Sequence, residues 1–195
     1  MAKVLLFIKN IKMPKKRTAE DFYKNSLKGF NAKVLLEHLF KKAGYETYPF
    51  GYESLFSSIT ASIYRKGNQT DTLQRIRSMP DLLVINNKKK KVNLIEAKFT
   101  GYLNTTSYIL TKKSMDRYYK HWNDSILVVI VPSKEYVYAQ YISKLKMPRK
   151  PYNKFGDVVY YFNLEREFVP IYKIFPEITK EKVNKVKYII NKIKP

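Results

Sequence analysis

Two short apolar runs, 82–85 and 92–95, flank Asn86-Asn87 and four consecutive lysines. An Asn-rich polar tip between apolar runs predicts a β-hairpin over 79–98. Upstream, Thr18-Ala19-Glu20-Asp21 offers a cap residue and first-turn acids. Phe22, Leu27, Phe30, Val34, Leu35, Leu39 and Phe40 then follow at helical spacing as far as Gly44, a suitable C-cap. Gly29 leaves open whether this is one helix or two. Residues 45–52 read as a strand, with Pro49 marking an edge or a bend. Residues 54–78 are polar and mixed, and 57–64 fit a helix or a strand equally. A helical pattern covers 112–122. The continuous run 125–131 is the pattern of a strand buried on both faces. Strand, helix and strand in that order imply a right-handed parallel crossover. Residues 134–145 read as a helix with Tyr and Val on one face, and 157–162 as a strand. Pro176 opens a final helix that carries Val183, Val186, Ile189, Ile190 and Ile193 on one stripe. That stripe suits the chain's own core or a second subunit equally.

Charge adds a partner class. The chain of 195 residues holds 38 Lys plus Arg against 16 Asp plus Glu, a net +22. Such an excess repels itself unless a polyanion offsets it, so nucleic acid is the first candidate and an anionic membrane surface the second. A lysine-rich composition bias would raise Glu together with Lys, and Glu has not risen. The apolar content of 45% is that of a globular chain. No apolar run is long enough to span a membrane. The absence of cysteine excludes disulfides and thiolate metal sites. The N-terminus lacks a small-residue cleavage pattern, so an intracellular protein is expected. The organisation expected is a basic arm over 1–17, a core over 18–165 and a C-terminal extension over 166–195.

The candidate chemistry lies in the hairpin. Asp81 starts its first strand, and Glu96 and Lys98 end its second. Residues two apart share a face, so Glu96 and Lys98 project together while Ala97 points away. A twisted hairpin brings Asp81 beside them. Two converging carboxylates repel unless a cation joins them, and Mg²⁺ or Mn²⁺ suits oxygen ligands. A lysine in the same cluster can hold a phosphate oxygen or polarise a water. Together they fit metal-assisted phosphodiester hydrolysis. An exposed Glu96–Lys98 pair beside a turn-capping Asp81 would be the plainer alternative.

Pro80-Asp81 followed by Glu96-Ala97-Lys98 resembles the signature of the PD-(D/E)XK nuclease superfamily. Gly29-Phe30-Asn31-Ala32, Gly44-Tyr45, Lys112-Lys113-Ser114-Met115-Asp116 and the Val/Ile strand extend the likeness over about residues 27 to 131. The layout is most similar to archaeal Holliday junction resolvases, which also suggests a relative carried by an archaeal virus or plasmid. Two departures stand out: Lys33 lies where that family has an acid, and the insert between Gly44 and Asp81 is longer. The resemblance implies an α/β fold with a restriction-endonuclease-like core, a mixed central sheet flanked by helices. It also implies a Mg²⁺-dependent DNA endonuclease selective for branched DNA, acting as a homodimer. Asp81 and Glu96 would hold the metal, with the carbonyl of Ala97 as a further ligand, and Lys98 would position the attacking water. A first-helix glutamate joins the metal cluster in many members. Glu37 is the candidate here and Glu53 its rival, although Lys33 and Lys41, four residues either side of Glu37, equally make it one member of an ordinary helix-surface pair. Lys112, Lys113 and Arg117 are expected to grip phosphates, with Arg75 and Arg77 beside them. His121 next to Trp122 reads as a helix-surface residue beside an aromatic anchor. The competing expectations are a non-cutting nucleic-acid-binding protein of the same fold and, further off, a peripheral membrane protein. RNA stays open as a substrate.

Overall fold

The computed structural model describes residues 19–51, 70–100, 107–131, 136–147, 151–154 and 156–192. The arm over 1–17, Glu53, the 57–64 segment, the side chains of 189 and 190, and residue 193 lie outside them.

The centre of the molecule is β5, Ile126–Ile130, whose five residues are all buried. β3, Lys91–Phe99, runs parallel to it, with Ile95 beside Ile126 and Phe99 beside Ile130. This is the parallel crossover that the Val/Ile run predicts. β2, Leu82–Asn86, pairs antiparallel with β3 through the polar tip at 87–90. β1, Glu46–Pro49, closes that side as an edge strand, where Pro49 withholds no ladder bond that the sheet needs. On the other side β5 pairs with β6, Val137–Tyr141, and β6 with the short β9, Val169–Pro170. The six-stranded order β1-β2-β3-β5-β6-β9 combines parallel and antiparallel neighbours, so the fold is α/β with a mixed central sheet.

Period-two alternation divides β5 between two cores. Ile126, Val128 and Ile130 pack with Leu82, Val84, Ile95 and Ala97 under α1, Ala19–Lys42, and α5, Lys180–Lys192. Leu127, Val129 and Val131 face the opposite layer. That layer is α3, Lys112–His121, together with a second sheet of β4 (Ser107–Thr111), β8 (Asp157–Asn163) and β7 (Tyr152–Lys154). Two short helices, α2 (Asp71–Arg77) and α4 (Leu164–Glu167), complete the described strands and α-helices. Among the described residues no helix is long and apolar enough to cross a membrane.

α1 buries Ala32, Leu36, Leu39 and Phe40 along one stripe. It ends where Gly44 takes φ +88°, a left-handed conformation that favours glycine. The Gly44 N–H bonds the Lys41 carbonyl at 3.0 Å and the Tyr45 N–H the Phe40 carbonyl at 3.1 Å. The Tyr45 ring then packs edge-on against Phe40, 5.5 Å away.

The alternative left open at Gly29 falls to one helix, since α1 runs through it. Two expectations are corrected. The segment 134–145 is not a helix over its described residues, 136–145, which contain β6 and a 3₁₀ turn at Ile142–Lys144. The open edge of β5 recruits this Tyr/Val-rich segment as a strand, so tertiary pairing overrides the local pattern. The last helix starts at Lys180 rather than Pro176, because Thr179 is its cap and accepts the Lys182 N–H at 3.3 Å.

Candidate active site

The last β2–β3 pair is Leu82 with Ile95, so one further step of the same register sets Asp81 opposite Glu96. Beyond that pair the Ala97 N–H has no β2 carbonyl opposite it. The Asp81 carboxylate takes it instead, Oδ2 accepting at 2.8 Å. The Asp81 carbonyl is fixed from the other side by the Phe50 N–H at 2.9 Å and the Gly51 N–H at 3.3 Å. Glu96 and Lys98 lie beside Leu127 and Val129 and therefore face the α3 layer, while Ala97 lies beside Val128 and joins the α1 core. The division of these three residues between two faces is as the sequence predicts.

Glu96 is buried, with 7% of its side chain exposed. Its Oε1 receives the Lys98 ammonium at 2.5 Å and the Tyr118 hydroxyl of α3 at 2.6 Å. Burial pushes the Glu96 carboxyl up and the nearby Asp81 adds to the rise, against the pull of Lys98 and Tyr118. For Lys98 burial acts downward, but Glu96, then Tyr118, Tyr108 and Asp81, outweigh it and hold the ammonium well above its ordinary range. Burial also raises the phenols of Tyr118 and of Tyr108 on β4.

Asp81 has a second partner from α1. The Lys33 ammonium sits 2.7 Å from Oδ1, with 35% of the Lys33 side chain and 11% of that of Asp81 exposed. The cluster thus holds two carboxylates and two ammonium groups. Glu37, by contrast, gives its carboxylate to Lys41 at 2.5 Å on the helix surface. Among the described residues no three His, Asp or Glu side chains gather into a group able to hold a metal. Asp81 and Glu96 still fit a hard divalent ion. They are two carboxylates on neighbouring strands, close enough for the Asp81 charge to disfavour that of Glu96, and such ions commonly take one or two carboxylates and fill the remaining positions with water.

The expected phosphate contacts lie on α3 and α2. Thr111 caps α3 by accepting the Ser114 N–H at 3.2 Å. Met115 and Tyr118 occupy the buried face of that helix. Lys112, Lys113 and Arg117 lie on the other side: Lys112 pairs with Asp116 at 2.5 Å, and the Arg117 Nε–H bonds the Lys113 carbonyl at 3.3 Å. α2 packs against the end of α3. Arg75 stacks over the Trp122 ring, 5.6 Å from its centroid, and Lys120 pairs with Asp71. Arg77 is half-buried in the same helix. The His121 side chain is nearly enclosed, with Nε2 3.7 Å from Asp71, while Trp122 anchors α2 through its N–H to Ser78 Oγ at 3.2 Å.

The sequence does not point to Tyr118 or Tyr108 as site residues. The available signal for Tyr118 is its spacing from Met115, which puts both on one helix face. Tyr108 lies in β4, a segment to which the sequence reading assigns no element.

No family model matches the chain, and no curated protein matches it. Among solved structures it is similar to Hjc of Archaeoglobus fulgidus, a Holliday junction resolvase from an archaeal hyperthermophile. That similarity has 12% identity and a TM-score of 0.45, and it covers 75% of this chain and 94% of the other.

Proposed function

We propose that the chain is a metal-dependent endodeoxyribonuclease of the PD-(D/E)XK type. One observation carries this proposal: Asp81, Glu96 and Lys98 converge on two adjacent strands of one hairpin, with Asp81 fixed on the Ala97 N–H and Lys98 on Glu96. Asp81, Glu96 and the Ala97 carbonyl would hold Mg²⁺, with Mn²⁺ as a substitute. When bound, the ion lowers the pKa of a coordinated water and offsets charge on the phosphoryl oxygens. Lys98 orients that water from its fixed place on Glu96. Lys112, Lys113, Arg117, Arg75 and Arg77 contact backbone phosphates and supply affinity without sequence readout. Branched DNA is the preferred substrate, on the motif layout, and a homodimer presents the two sites that paired strand cuts require.

A second reading, a nucleic-acid-binding protein that does not cut, is favoured by the Lys33–Asp81 pair, which places an ammonium on the would-be metal ligand. Cleavage of labelled duplex, single-stranded, flap and four-way-junction DNA separates the two. The assay is run with Mg²⁺, Mn²⁺ or EDTA on wild type, Asp81→Ala and Lys98→Ala. A nuclease shows metal-dependent cutting that falls by about 10²-fold or more in both variants. Tight binding with no cutting under any metal leaves the second reading standing.

A further inference from the structure

We infer that Lys33 is the resident cation of this site and that a divalent ion enters by displacing its ammonium from Asp81. The inference rests on the proposed metal-binding role of Asp81 and Glu96. Both Asp81 oxygens are engaged: Oδ2 by the Ala97 N–H at 2.8 Å and Oδ1 by Lys33 at 2.7 Å. The Ala97 N–H is part of a strand and cannot leave. Lys98 is held on the buried Glu96, itself bonded to Tyr118. Lys33 differs from both. It reaches the site from α1 on a flexible four-carbon stem and is 35% exposed, so water is at hand to replace Asp81 around its ammonium. In its present place it cancels the charge that would attract a metal, since two carboxylates face two ammonium groups. Metal and Lys33 therefore compete for one oxygen, and the competition lowers the affinity of the wild-type site.

The test is the Mn²⁺ affinity of the full chain, measured by titration calorimetry and by the loss of the free-ion electron paramagnetic resonance signal. Neither readout depends on cleavage. Wild type is compared with Lys33→Met, Lys33→Gln and Lys33→Arg, each also combined with Asp81→Asn. Met and Gln should tighten Mn²⁺ binding by about fivefold or more, the low end of common site–site couplings. Arg keeps the charge and should bind as wild type does. Asp81→Asn should abolish the gain in every background. Two alternative variants guard against one that folds poorly, and circular dichroism confirms the fold. Equal Mn²⁺ affinity in wild type, Met and Gln forms, all sensitive to Asp81→Asn, overturns the role of Lys33 and leaves the metal site intact. Absence of Mn²⁺ binding at millimolar concentration in all forms overturns both.

Discussion

At the scale of single residues the site is a set of mutual obligations. Glu96 is tolerated in the interior because Lys98 and Tyr118 both reach its carboxylate. Removing one member of such a pair leaves a charge without its partner, which costs far more than losing the pair as a whole. Lys98→Met alone is expected to destabilise the fold by about 3 kcal/mol, the low end for buried pairs because Lys98 is one-third open to solvent. Adding Glu96→Gln should recover most of that loss. Urea unfolding of the two single variants and the double variant reads the coupling directly, and additive losses would refute it. Tyr118→Phe should cost about 1.5–3 kcal/mol, because it removes one buried hydrogen bond to a charged acceptor. A different acid governs behaviour at low pH. Glu177 accepts from Lys89, Tyr45 and Asn86, and these partners pull its carboxyl from 4.5 down to about 2. A depressed carboxyl stabilises the fold above its unfolded pKa and loses that contribution as pH falls toward the folded value. The urea midpoint of the wild type should therefore drop between about pH 4.5 and 2. Glu177→Gln should flatten this part of the profile and start from a lower plateau at neutral pH.

At the scale of elements, what the sequence discloses depends on how locally each element is determined. The β2–β3 hairpin is legible because its turn residues and both strands lie within twenty positions, and β5 because continuous β-branched residues have few other uses. Asp81, Glu96 and Lys98 are legible for the same reason, as strand periodicity alone sorts them onto faces. β4 and β8 are not legible as partners, since Ser107 pairs with Asn163 and no local signal links them. Lys33 and Tyr118 reach the site from helices whose docking is set by the core, and their own side chains do not announce it. The local pattern at 134–145 fails because the edge of β5 decides its conformation. At Gly29 the sequence leaves one helix or two open, and the structure carries the glycine inside a single helix. Among the described residues, nothing beyond the neighbouring backbone of its own helix lies within 4 Å of the position a Gly29 Cβ would occupy, and this gives no packing reason for glycine. Gly29→Ala should therefore stabilise the protein by about 0.5–1 kcal/mol, by limiting the unfolded chain and favouring the helix. A loss of stability in thermal unfolding would show that α1 needs the freedom of glycine there.

At the scale of the whole molecule the decisive quantity is unbalanced charge. The described ion pairs engage Lys33, Lys41, Lys89, Lys98, Lys112, Lys120 and Lys185. Even if every one of the 16 acids found a partner, 22 of the 38 cations would remain, by subtraction. Pairs on the surface contribute little each and weaken with salt, whereas the net repulsion acts across the whole chain and also weakens with salt. The two effects oppose each other. Repulsion should win because the surplus is larger than the number of possible pairs. The melting temperature is therefore expected to rise as ionic strength goes from about 0.01 M to 0.1 M, where the screening length shortens from about 30 to 10 Å. Duplex DNA at low salt should raise it further, since a polyanion that binds the folded chain adds its binding free energy to stability. That second increment should shrink as salt increases, because phosphate contacts release counterions. A melting temperature that falls on adding salt, in the absence of DNA, would mean that local pairs rather than net charge dominate this surface. A DNA increment that survives high salt unchanged would mean that the excess of lysine is not what holds nucleic acid.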